Sequence, residues 1–288
     1  MKKINILLSV LLTCLLVSSC GTVAVTGRKQ LLLVSDSEVM SLSNQSFKEY
    51  MSSAKPSTNA TQTAMVVRVG RRIANAVETY LKTNGMSSEI QNYAWEFHLV
   101  QSKEANAFCM PGGKIVVYEG LLPYTQSEEG LAIVLGHEVA HAVAKHSAER
   151  MSHQLLSNYG AQALGVLMST KSSATQQLAQ QVYGLGANYG VMLPYSRKNE
   201  SEADRMGLIF AAMAGYNPQV ATSFWTRMSS IGSSKPEFFS DHPSDATRIS
   251  QIKKEMPEAL KYYKGSNTTV PSTNRTFRVK SNKSKRSR

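Results

Sequence analysis

His137-Glu138-Val139-Ala140-His141 decides how the rest of this 288-residue chain is read. On an α-helix, residues four apart lie about 400° around the axis, so the two imidazoles stack on one face, roughly 6 Å apart, within reach of a single metal ion. Glu138 flanks the pair. Such a trio suits a zinc hydrolase: His137 and His141 hold Zn²⁺, the ion acidifies water, and the glutamate takes the proton as that water attacks a carbonyl. Working outward, Thr125-Gln126-Ser127-Glu128 has the form of a capping box, and Leu131, Val134, Leu135, Val139 and Val143 recur at threes and fours. The spacing predicts one buried helix with the pentapeptide at its middle. Two imidazoles beside an apolar stripe are costly to bury unless something binds them.

A metal needs more than two ligands, and the stretch from Pro194 to Gly207 supplies candidates. Glu200 and Asp204 are four apart and share a helical face, whereas Glu202 is about 200° from Glu200 and points away. This selects Glu200 as third ligand and leaves Asp204 one turn on, suited to accept the outer N–H of a zinc-bound histidine. A three-histidine site would need a glycine and a histidine where Ala144 and Ser147 stand, so it fails. Asp241-His242-Pro243-Ser244 opens a later helix that carries Arg248. His242, held there by the following proline, is expected to point into the cleft, either donating to an oxyanion or filling the open zinc position as a plug, rather than standing as a surface histidine. His98, His146 and His153 are given no role, the last two because they lie off the face of the ligand pair.

Ahead of the zinc helix the pattern changes from threes and fours to alternation. Ser35 to Glu38 forms a capping box opening a helix to about Met51, Lys55 to Thr63 reads as a polar linker, and Ala64 to Leu81 as a scaffold helix closed by Asn84-Gly85. Tyr93 to Val100 then reads as a strand, and Ala107–Met110 with Lys114–Tyr118 as a hairpin turning at Pro111-Gly112-Gly113. The hairpin is either purely structural or an edge on which an extended peptide pairs beside the metal, with Asn106, Ala107, Phe108, Gly112 and Gly113 as the contacts. The alanine- and glycine-rich stretch from Ser147 to Pro194 is either a wall over the cleft or helices backing the core. Asn217-Pro218 starts a further helix whose Phe224, Trp225 and Met228 belong to the core. The fold class expected is α+β: a predominantly helical, zincin-like domain with a small sheet before the active-site helix.

The termini account for the charge. The formal net charge is +12, yet nine lysines and arginines lie in residues 261–288, where there is no acid; with these and Lys2 and Lys3 set aside, 21 basic residues face 20 acidic ones. A near-neutral body excludes a nucleic-acid groove. Residues 265–288 read as a basic disordered tail, able to touch anionic envelope material. At the other end, Met1-Lys2-Lys3, an apolar run from Ile4 to Val17 and Val17-Ser18-Ser19-Cys20 have the form of a lipoprotein signal, with cleavage after residue 19 and a lipid on Cys20. Gly21 rather than aspartate after that cysteine favours the outer membrane, facing the periplasm. Thr22 to Val34 then reads as a tether. Cys14 leaves with the signal, so Cys109 has no disulfide partner and is expected to be a buried hydrophobe. Residues 20–264 form the catalytic domain.

Several motifs stand in one order: Thr26-Gly27-Arg28 with Leu31 to Val34, Asn106-Ala107-Phe108, Pro111-Gly112-Gly113, the pentapeptide, Ser196-Arg197 with Glu200 to Asp204, and His242-Pro243 with Arg248. From about Gly21 to Leu260 the chain resembles the HtpX-like and CAAX-prenyl-protease-like zinc metallopeptidases, in their soluble lipoprotein branch. The resemblance implies one zinc bound by His137, His141 and Glu200, Glu138 as general base, His242 near the metal, and Asp204 and Arg248 supporting the ligands. It also implies an endopeptidase acting on misfolded or unassembled envelope polypeptides. A non-catalytic or self-inhibited chaperone on the same fold is the other reading.

Overall fold

The structure, a computed structural model, describes residues 20–155, 196–230, Phe238, His242 and 246–265. The expected signal segment, residues 156–194 of the alanine-rich stretch, the helix start around His242 and the basic tail beyond 265 lie outside the described residues. Among the described residues no helix is long and apolar enough to cross a membrane.

The N-terminal stretch is built into the domain rather than serving as a tether. β1 (Cys20–Thr22) and β2 (Lys29–Leu31) pair antiparallel around a turn at Gly27, whose φ of 70° favours glycine. Val23 is buried in the main core. Ser35 then caps α1 (Asp36–Ser53) in a reciprocal capping box with Glu38. The linker is shorter than expected, because Asn59 accepts the Gln62 N–H at 3.0 Å and starts α2 (Ala60–Thr83) four residues early.

Three strands follow: β3 (Glu96–Val100), β4 (Ala107–Met110) and β5 (Lys114–Tyr118), in the order β3-β5-β4. β5 lies in the middle, parallel to β3 and antiparallel to β4. One sheet face packs on the main core through Phe97, Leu99, Ile115 and Val117; the other, through Phe108, Met110, Val116 and Tyr118, packs on Phe47 and Tyr50 of α1. Lys114 is buried but its ammonium donates to Glu96 at 2.8 Å and to the Ala94 carbonyl at 2.7 Å.

A short helix α3 (Leu122–Thr125) precedes α4 (Glu128–Val143), the helix of the pentapeptide. The capping box is not centred on Thr125: Gln126, at φ 61°, ends α3, and Ser127 is the cap, accepting the Gly130 N–H at 3.1 Å. Every residue from Gly130 to Val143 is buried, because α2, β4, α5 (Arg197–Met213) and α6 (Val220–Ser230) all pack against α4. α5 begins before Glu200, capped by Ser196, so Glu200 stands in its first turn. α7 (Ala246–Leu260) completes the described chain and lies against α5 and α6. Where α4 and α5 cross, Gly136 and Gly207 bring the two backbones together: a Cβ on Gly207 would stand 2.7 Å from the His137 amide nitrogen. The helix carrying the histidines and the helix carrying the acids are thus held at glycine distance beside the site.

Candidate metal centre

That crossing sets Glu200 and Asp204 of α5 opposite His137 and His141 of α4. Nε2 of His137 and Nε2 of His141 are 3.1 Å apart. The Glu200 carboxylate closes on both, with one oxygen 3.3 Å from each nitrogen. His242 brings Nδ1 to 3.1 Å from the His137 Nε2 and 3.0 Å from a Glu200 oxygen. One donor atom from each of these four residues lies within 4.8 Å of the others, and all four residues are buried.

The surrounding groups fix how these atoms face. Asp204 sits 2.9 Å from His137 Nδ1 and is clamped by Arg248 through Nε at 2.8 Å and Nη2 at 2.7 Å. Arg248 also donates to the His242 carbonyl at 3.0 Å and stacks over Trp225, 3.5 Å from its ring centre. Burial opposes the charge on Asp204, but Arg248 and His137 together hold its carboxyl below the usual range. An ionised carboxylate only accepts, so His137 carries a proton on Nδ1 and faces the other donors with Nε2; against burial, Asp204 and Glu200 raise its pKa, and a metal at Nε2 would take the place of a second proton. Burial likewise opposes the charge on Glu200, and the imidazoles, His242 foremost, hold it well below the carboxylate range. Burial pushes His141 well down, toward the neutral ring a metal ligand requires.

A divalent metal fits this donor set. The Nε2 atoms of His137 and His141 and the Glu200 oxygens converge at 3.1–3.3 Å, a spacing that needs a proton or a cation between them. Bonds of 2.0–2.1 Å to a tetrahedral zinc put neighbouring ligand atoms about 3.3 Å apart, and imidazole nitrogens with a carboxylate oxygen are zinc-type donors.

Glu138, next to His137 on α4, is buried with one carboxylate oxygen 3.5 Å from His242 Nε2. Cys109 is buried near that carboxylate, and desolvation, followed by Glu138, pushes its thiol well up, away from a nucleophilic thiolate. β4 is an edge strand with all four of its side chains buried. The backbone N–H of Phe238 takes the Ala105 carbonyl ahead of β4 at 3.3 Å, and His242 N–H bonds back to Phe238 O at 2.9 Å. Gly112 and Gly113 do not belong to that edge: their carbonyls accept from Ala94 and Glu96 on the β3 side, both at 2.9 Å. Gly112 instead lines a groove with Met40, Tyr93, Pro111, His141 and Lys145.

His146 belongs in the neighbourhood after all. A continuing helix would carry it roughly 140° away from His141. α4 stops at Val143, however, and Lys145 takes φ 57° with its ammonium held by Asp36 at 2.7 Å and Glu89 at 3.1 Å. This turn returns His146 to its neighbour, Nδ1 to Nδ1, at 2.9 Å from His141. No glycine marks the turn, so the sequence offers no signal for it. His98 lies away, paired with Glu96 at 3.3 Å, and His153 is exposed.

Residues 67–256 match the family described as peptidase family M48. A mitochondrial metalloendopeptidase OMA1 of Schizosaccharomyces pombe is 36% identical over 225 residues, 76% of this chain and 61% of the relative. The human mitochondrial metalloendopeptidase OMA1 is 30% identical over 248 residues, 82% of this chain and 46% of the relative. The β-barrel assembly-enhancing protease of Escherichia coli is 29% identical over 164 residues, 55% of this chain and 34% of the relative. The chain thus spans about half to two thirds of the length of these OMA1 proteins, and the relatives include mitochondrial and bacterial proteins alike, which identifies the family and not the lipoprotein branch. Because the match takes in both metal-site helices and about two thirds of the chain, the protein belongs to peptidase family M48.

Proposed function

We propose that this protein is a zinc-dependent endopeptidase of the cell envelope, held to the membrane by a lipid on Cys20, which cuts misfolded or unassembled envelope polypeptides. The observation that carries the reading is the convergence of His137, His141 and Glu200 on one point, with Glu138 beside it on the same helix. Those three residues hold the ion. When bound, zinc supplies a Lewis acid that polarises the scissile carbonyl and makes water nucleophilic near neutral pH. Glu138 accepts the proton of the attacking water and delivers it to the leaving amine. Asp204 and Arg248 keep His137 oriented, and the edge strand β4, entered through Asn106 and carrying Ala107 and Phe108, offers main-chain pairing to an extended peptide, which suits unfolded substrates of varied sequence.

The resting state of this enzyme is self-inhibited. Catalytic zinc sites keep a fourth position for water or substrate, whereas here His242 Nδ1 stands among the ligand atoms where it would fill that position, and the Phe238 N–H donates to the Ala105 carbonyl just ahead of β4. With a peptide paired beside the site, the His242 ring, whose Nε2 lies 3.5 Å from Glu138, would be placed to donate to the developing oxyanion. The envelope location draws support from the Cys20 motif and from the bacterial relative named for β-barrel assembly.

Cleavage of an unfolded casein by the full chain tests the activity. The wild type should cut, Glu138→Gln with its metal retained should not, and His242→Ala should bind unfolded substrate more readily (lower KM) while losing kcat with its oxyanion donor. Equal cleavage by wild type and Glu138→Gln defeats the mechanism. Absence of cleavage by both wild type and His242→Ala favours the chaperone reading. Incorporation of labelled palmitate, lost in Cys20→Ser, tests the anchor.

A further inference from the structure

On the Nδ1 side of His141, opposite the Nε2 that faces His137 and Glu200, lies a second buried polar network that the proposed mechanism does not use. His146 approaches His141 with Nδ1 and places its Nε2 3.0 Å from Glu202. Glu202 also accepts from Arg28 Nε at 2.7 Å and from the Thr26 hydroxyl. The far side of the Arg28 fork is bidentate to Glu149 at 2.6 and 2.7 Å, and Glu149 accepts from Asn199 at 2.9 Å. His146, Glu149 and Glu202 are all buried. Thr26 and Arg28 belong to the turn between β1 and β2, so a segment more than a hundred residues before His141 reaches it through two side chains.

The network has a direction. Glu202, ionised between Arg28 and Thr26, only accepts, so His146 donates from Nε2 and, as a neutral ring, accepts at Nδ1. His141 must then donate from its own Nδ1, which leaves Nε2 as the lone pair turned to the metal. Asp204 does this for His137 directly. For His141 the same task passes through His146 to Glu202, and Arg28 holds Glu202 in place from the N-terminal hairpin.

We infer that His146, Glu202 and Arg28 are positioning residues for the ligand His141, and that docking of the β1–β2 hairpin through Arg28 is part of forming the metal site. The inference rests on His137, His141 and Glu200 holding an ion. It makes the segment that follows Cys20 a condition for metal retention: whatever pulls the hairpin off Glu202 loosens the ion.

The test is zinc affinity, measured by competition with a chromophoric chelator on the full chain, beside the thermal melting of each metal-free protein. His146→Phe keeps a ring of similar size without the hydrogen bonds and should weaken zinc about 10–100-fold, the range for losing such an outer partner. His146→Gln, whose amide oxygen accepts from His141 Nδ1, should recover most of that loss. Arg28→Ala should weaken zinc about tenfold and make residues 22–31 newly sensitive to limited proteolysis. Arg68→Ala, which breaks a remote surface pair with Glu128, should change neither. Wild-type affinity in His146→Phe overturns the inference, as does a loss matched by an equal fall in metal-free melting. Wild-type affinity in Arg28→Ala overturns the part assigned to the hairpin. No zinc bound by the wild type would instead reject the metal-site reading itself, a separate result.

Discussion

Gly207→Ala tests whether the distance between α4 and α5 sets the site. The added Cβ would lie 2.7 Å from the His137 amide nitrogen and 2.8 Å from the Gly136 carbonyl carbon, against an ordinary contact that begins at 3.4 Å. Both neighbours are backbone, so neither can swing aside, and the helices must part by about 0.7 Å. Taken up wholly at the next contact, that shift stretches the His137–Asp204 hydrogen bond from 2.9 Å to about 3.6 Å, beyond its working range. Metal sites tolerate ligand displacements of only about 0.2 Å. Alanine in a helix is intrinsically better than glycine by about 1 kcal/mol, while overpacking costs about 1–3 kcal/mol, so metal-free stability should change little or fall by up to about 2 kcal/mol. Zinc affinity should drop far more, by at least about tenfold, since the strain falls where the ligands meet. Chelator competition and denaturant unfolding of the metal-free protein separate the two effects. Undiminished zinc affinity would refute the argument that backbone contact at Gly136 and Gly207 positions the ligands.

Other expectations follow from the same geometry. Asp204→Asn keeps an acceptor oxygen but loses the charge that pairs with Arg248; zinc affinity should fall about 10–100-fold while the chain stays folded, as read by chelator competition and circular dichroism. At the sheet, burial opposes the Glu96 charge, but Lys114 and His98 outweigh it and hold the carboxyl below its usual value. A depressed carboxyl stabilises the fold above its unfolded pKa near 4.5, and that contribution disappears as pH falls through the lower folded value. Glu96→Gln keeps an acceptor oxygen and leaves Lys114 its bond to the Ala94 carbonyl, so it should lose about 1 kcal/mol at pH 7 and show a shallower decline in melting temperature below pH 4.5 than the wild type.

What the sequence discloses depends on whether a feature is local. The pentapeptide, the Ser35 capping box and the hairpin turn at Pro111 to Gly113 are written in residues a few positions apart, and helical spacing brings Glu200 and Asp204 to one face. Their partnership with α4 is less local. It hangs on Gly136 and Gly207, two glycines inside helices whose purpose shows only when the helices cross. The parallel pairing of β3 with β5 is similarly hidden, since adjacent strands in sequence favour the antiparallel neighbour. His146 was hidden by a left-handed turn at a lysine, a residue that carries no turn signal; distant Asp36 and Glu89 stabilise it. Glu202 pointed away from Glu200 on spacing alone, and it does; that it points at His146 and Arg28 needs the tertiary fold. Arg28 sat in a stretch that read as a tether because three-residue strands are too short to show alternation.

Metal content measured on protein purified without chelators tests the central claim most directly. The account predicts about one zinc per chain in the wild type and in Glu138→Gln, and loss of most of that zinc in His141→Ala and Glu200→Gln, each checked for folding. Zinc-free wild type, or His141→Ala and Glu200→Gln retaining the wild-type content, would contradict it.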